Sequence, residues 1–161
     1  MHRFSRREEL APRRILLALR YPLPQTNDAL LVRTYCDPAT DQAWGALVWE
    51  ASAPVDFEHE EGRFRANFQY IDDRAYDGVT VDDIVDSAPE PPPFFVFVAD
   101  EATLSSPDHA VLVVDLLHQP GRTVRVRPRD LWSVENNLSL GNMGFDDFAR
   151  AAVDGVFPGF G

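Results

Sequence analysis

The chain has 161 residues, enough for one domain around a single core, and carries 26 acidic residues against 15 cationic ones, for a formal net charge of −11. Every cation is an arginine, and a chain without lysine cannot supply the lysine of a P-loop, a Schiff-base amine or the strand lysine of a kinase. The acidic balance argues against nucleic acid, whose binding draws on cations that neutralise phosphates, and favours basic protein partners or metal ions.

In chain order, residues 1–20 hold six arginines against Glu8 and Glu9, or +4, which leaves −15 for the remainder. With the helix-breaking link Tyr21-Pro22-Leu23-Pro24 they are expected to form a basic arm and linker over residues 1–27, ahead of a single domain over residues 28–161. Leu30 to Tyr35 reads as a short strand. Asp37-Pro38 then places a capping carboxylate before a proline at the first helical position, and Trp44, Leu47, Val48 and Ala51 give the helix that follows an apolar face. Val55 to Arg65 is polar and is expected to be a surface loop. Ala66 to Ile71 is the next strand, and Thr80 caps a short helix with Asp82 and Asp83 in its first turn.

After the stiff connector Pro89-Glu90-Pro91-Pro92-Pro93, Phe94 to Ala99 and Ala110 to Val114 are strongly apolar without alternation. That pattern predicts central strands covered on both faces. Thr123 to Arg127 alternates Val and Arg, as a strand near an edge would, and two helical pieces close the chain, Arg129 to Ser139 and Gly144 to Val153. The expected fold is α/β, a single-domain mixed sheet of about five strands with helices on both faces. No apolar run approaches the ~20 residues of a spanning helix, so no transmembrane segment is expected. The apolar patch Ile15 to Leu19 is too short for a signal peptide, and the single cysteine, Cys36, fits a reducing compartment; the expected location is cytoplasmic.

The runs Leu31-Val32-Arg33-Thr34, Phe97-Val98-Ala99-Asp100, Val113-Val114-Asp115-Leu116, Pro120-Gly121-Arg122 and Leu131-Trp132-Ser133-Val134-Glu135-Asn136-Asn137-Leu138-Ser139 carry a resemblance. They resemble a family of small actinobacterial proteins described as a domain of unknown function, over roughly residues 28–160. Gly144 departs from its pattern, which has a capping Asp or Ser at that place. The resemblance implies no activity and no catalytic residue.

Two constellations could carry function. Acids follow three successive strands, Asp37, then Asp72 and Asp73, then Asp100. If those strands are parallel the acids share the edge where open α/β sheets bind ligands, and could gather Mg²⁺ or Mn²⁺. Asp at strand ends is also ordinary turn and cap chemistry. In the second constellation, Trp132 lies at helical spacing over Glu135 and Asn136 with Asn137 beside them, on a side of the helix away from Leu131, Val134 and Leu138. An aromatic ring beside a carboxylate and amides suits partner recognition, although buried structural roles are open to the same residues. No nucleophile motif and no zinc spacing is present, and Cys36 reads as a small core residue. No catalytic residue and no cofactor is assigned. The preferred expectation is a non-enzymatic acidic module that binds a basic protein partner, in the manner of an immunity or antitoxin protein. The alternative is a divalent-metal-dependent hydrolase using Asp37, Asp72, Asp73 and Asp100.

Overall fold

A computed structural model describes residues 22–56 and 63–160. The expected basic arm lies outside the described residues as far as residue 21. The fold is a mixed sheet of five strands in the order β4-β1-β5-β6-β7, comprising β1 (Ala29–Arg33), β4 (Phe68–Ile71), β5 (Phe95–Ala99), β6 (Val111–Asp115) and β7 (Thr123–Val126). A separate two-residue antiparallel ladder joins β2 (Val55–Asp56) to β3 (Arg63–Phe64). That ladder corrects the expected surface loop from Val55 to Arg65 at its two ends, which pair as strands; residues 57–62 lie outside the described residues.

The helices are α1 (Asp41–Ser52), α2 (Val81–Asp86), α3 (Glu101–Ser105), α4 (Leu131–Ser139) and α5 (Phe145–Ala151). Side chains cap the starts of α2, α3 and α5 and of the 3-10 turn that leads into α1. Asp37 accepts from the Ala39 N–H at 2.8 Å, with Pro38 at the first position of a 3-10 turn that leads into α1. Thr80 and Asp83 exchange a reciprocal capping pair at α2. At α5 the glycine that replaces the capping side chain still finds a partner, because the Gly144 N–H donates to the Asp147 carboxylate at 2.8 Å.

β1 pairs in parallel with β4 on one side and β5 on the other, while β5, β6 and β7 pair antiparallel. Length accounts for the change of direction. Only eleven residues separate β5 from β6, and they include α3; a parallel crossover needs a dozen or more. The two strands read as buried are buried on both faces, because alternate residues point opposite ways. Leu31, Phe97 and Val113 pack beneath Trp44 and Leu47 of α1, Leu131 and Val134 of α4, and Phe148 of α5. Leu30, Val32, Val96, Val98 and Val114 pack on the other side with Leu23, Tyr76 and Ile84 of α2.

β7 is an edge strand, and the C-terminal segment covers it. The Arg125 N–H donates to Gly155 O at 2.9 Å, the Phe157 N–H donates to Arg125 O at 2.8 Å, and Phe157 is buried. The exposed ladder groups of the edge are thereby satisfied by the chain itself. Phe97 is fully buried, and its ring meets those of Phe68 and Phe95 edge-on. Truncation of Phe97 to alanine is expected to cost about 3–5 kcal/mol in urea unfolding. Truncation of Trp49, 75% exposed, should stay within about 0.5 kcal/mol.

Candidate functional site

The strands β4, β1 and β5 are neighbours and parallel, so the acids that follow them stand along one edge of the sheet. Their side chains are held apart by structural duties. Arg33, the last residue of β1, is only 4% exposed and draws the nearest acids to itself. Its Nη1 donates to both oxygens of Asp72 at 3.3 Å, its Nη2 to Asp41 at 2.7 Å and to Thr40 and Asp37 O, and its Nε to Tyr35 O. The Trp44 ring lies under the guanidinium, 5.9 Å from its centroid. Burial works against the Arg33 charge, but the hydrogen bond to Asp41 and the charges of Asp72 and Asp41 outweigh it and push its pKa up.

Asp37 and Asp73 each cap a 3-10 turn, and Asp77 accepts the Cys36 N–H at 2.8 Å. Asp100, after β5, caps α3 through the Thr103 N–H and hydroxyl and forms a forked ion pair with Arg125 of β7, at 3.1 and 2.6 Å. Among the described residues no group of three His, Cys, Asp or Glu side chains is placed to hold a metal ion. The edge is strongly negative all the same. The Tyr35 hydroxyl is pushed up by burial and by the charges of Glu101, Asp37 and Asp77. Cys36 is buried there, and its thiol is pushed up first by burial and then by Asp77.

On α4 the four expected binding residues separate into two groups. Glu135 is 2% exposed, which corrects its expected place on a shared outer side. It stands four residues after Leu131 and three before Leu138, a spacing that fits the inward stripe. There its carboxylate accepts from the Asn67 N–H at 3.0 Å, from Asn136 Nδ2 at 3.0 Å and from the Ser139 hydroxyl at 2.6 Å. Asn136 also donates to Arg65 O, so the pair fastens α4 to the chain entering β4. Trp132 and Asn137 are half-buried, and both line a groove of about 530 Å³ between α4 and the C-terminal segment. Arg129, Asp130, Met143 and Phe160 line it with them. None of those four is marked by a sequence motif; only the bend at Gly141 and the apolar tail signal that chain folds back on α4.

A family model described as a domain of unknown function, DUF6924, matches residues 28–160. The chain belongs to the DUF6924 family. No curated protein matches it in sequence. The DUF6924 region contains the whole five-stranded sheet, the acidic edge and the groove beside α4. Among the described residues no helix of this DUF6924 member is long and apolar enough to cross a membrane.

Two expectations follow from the acidic edge. Partial burial of Asp100 opposes its ionisation, but the hydrogen bonds from Arg125 and Thr103 prevail and hold its pKa below the usual carboxylate range. A lowered folded-state pKa contributes stability above the unfolded value, and that stability is lost as pH falls through the folded value. Unfolding midpoints should therefore drop below about pH 4, and Asp100→Asn should flatten that part of the profile while lowering stability near neutrality. Arg33→Leu leaves Tyr35 O and Asp37 O without their guanidinium donor, while Asp41 and Asp72, 66% and 46% exposed, stay hydrated, and is expected to cost about 1–3 kcal/mol in chemical denaturation.

Proposed function

We propose that this DUF6924 member is a non-enzymatic binding module whose acidic surface engages a basic protein partner. The carrying observation is how charge is distributed. Arg33, Arg122 and Arg125 are buried or half-buried on aspartates, whereas Asp37, Asp73, Asp77 and Glu101 stand exposed around the ends of the parallel strands, with the exposed Arg74 among them. Carboxylates that outnumber the exposed cations at this edge leave a field that steers a positively charged partner. The half-buried Trp132 and Asn137, on a groove, add the kind of aromatic and amide contact on which interfaces depend. An immunity-like or antitoxin-like role in an actinobacterial cytoplasm suits the small acidic chain, and Leu131–Ser139 is the stretch proposed to mark the family.

The alternative, a hydrolase that binds Mg²⁺ or Mn²⁺ through Asp37, Asp72, Asp73 and Asp100, draws support from the common edge on which these residues stand. It would require Arg33 and Arg125 to release Asp72 and Asp100. Thermal melts with each ion or with chelator separate the two readings, since a ligand of the folded state raises the midpoint. The binding module predicts the same midpoint throughout. A metal-dependent rise abolished by both Asp37→Asn and Asp72→Asn would favour the hydrolase. For the partner itself, a short polyarginine peptide should bind at about 20 mM salt and lose most of its affinity by about 300 mM.

A further inference from the structure

Three carboxylates in the described residues are buried or nearly so without lying on the acidic edge, and two are fully provided for. Asp115, 2% exposed, accepts the N–H groups of Leu117, His118 and Gln119 at 2.9–3.0 Å. Glu135 has its three donors on α4 and at Asn67. Asp130 differs. Its side chain is 18% exposed, and its Oδ2 is buried without a hydrogen-bond partner among the described residues. The nearest cation, Arg129 Nε, is 3.5 Å away, beyond hydrogen-bond range, on a side chain that is 68% exposed.

The position of Asp130 at the start of α4 does not account for this carboxylate. An aspartate there ordinarily caps the helix with its side chain, but here the side chain makes no cap hydrogen bond. Both oxygens lie under the tail: a Cβ on Gly159 would stand 3.0 Å from Oδ1 and 3.3 Å from Oδ2, so the glycine, at φ +91°, lets the backbone pass directly over the carboxylate. A buried acceptor without a donor is costly, and it lies on the wall of the groove with Trp132, Met143 and Phe160. Phe160, 58% exposed, rests edge-on against Phe148 and Phe157, which fixes its side of the groove.

We propose that this groove receives a cationic side chain, best an arginine guanidinium, from a basic segment of the partner. Asp130 is its counter-ion, and Trp132 and Phe160 are its aromatic walls. A guanidinium supplies planar N–H donors for the carboxylate, a charge opposite to its own and a flat face for the rings, whereas a neutral donor leaves the carboxylate charge unbalanced. The groove is larger than one arginine side chain needs, so residues flanking it in the partner chain also find room, near the amide of Asn137. Arg129 is the loosely held internal surrogate that the incoming cation displaces. The proposal rests on the basic-partner reading and gives it a specific seat.

The test is a ¹H–¹⁵N NMR titration of the full chain with acetyl-tetra-arginine amide at low salt, read at the indole N–H signals of Trp44, Trp49 and Trp132, the last assigned with Trp132→Phe. The expected result is a shift of the Trp132 signal alone, with affinity lowered at least about tenfold in Asp130→Asn. Arg129→Ala should tighten binding severalfold relative to Arg127→Ala, which removes the same charge two residues away. That second pair of variants decides the matter if Asp130→Asn melts too low to be measured. Binding that leaves the Trp132 signal unmoved, or that is equal in wild type and Asp130→Asn, overturns the groove assignment while the acidic-surface reading stands. Failure of the peptide to bind anywhere overturns both.

Discussion

The buried guanidinium of Arg33 is the constraint around which the upper edge of the molecule is arranged. It closes β1 with five donors on a side chain only 4% exposed, so the neighbouring chain must supply acceptors in a fixed geometry. Those acceptors come from three places: Tyr35 O and Asp37 O just beyond β1, Thr40 and Asp41 at the start of α1, and Asp72 just beyond β4. One side chain thus sets the path of the chain out of β1, the docking of the first helix and the end of the edge strand. It also decides what the acids there can do, because a carboxylate committed to a buried cation is a poor metal ligand.

The same device recurs with Arg125. Its outward position on β7 follows from the Val and Arg alternation, yet the guanidinium turns back to Asp100 and to Ala110 O. The antiparallel direction of β7's neighbour makes this reach possible, since β7 then runs parallel to β5, with β6 between them, and both end at the same edge of the sheet. An all-arginine chain can support such arrangements because a guanidinium forks onto a carboxylate and stays charged when half-buried. Each pairing offsets a cation and fixes an acid in place.

Much of this was legible in the sequence, and what was hidden has definite causes. The Phe94 to Ala99 and Ala110 to Val114 runs disclosed strands buried on both faces, Trp44, Leu47 and Ala51 disclosed the inner face of α1, and Asp37-Pro38 disclosed a helical start. Glu135 stands at helical spacing both from Trp132 and from Leu131 and Leu138, so spacing alone admits either side, and only its burial with three donors places it on the inward stripe. The two-residue ladder from Val55 to Phe64 was invisible, since its short polar strands carry no period. The five residues of α3 were too few to show a face. Arg129, Asp130 and Phe160 come together only because the tail turns back over α4, a contact between segments far apart in sequence that no local pattern records.

α4 couples these features. Its inward stripe, Leu131, Val134 and Leu138, belongs to the core; Glu135 and Asn136 tie it to Asn67 and Arg65 beside β4; and Trp132 and Asn137 face the groove. The opposite wall is fixed as well, since the tail is hydrogen-bonded to Arg125 on β7 and anchored by buried Phe157. A groove whose two walls are held by separate parts of the sheet needs little ordering when a side chain enters it. Its binding energy can then appear as affinity rather than be offset by lost freedom. The acidic edge works differently, through many exposed charges on short turns, and is suited to attracting a basic partner at a distance. In the proposed binding module, attraction over a broad surface and a rigid seat for one cation would be complementary, the first raising the rate of encounter and the second lengthening the life of the complex.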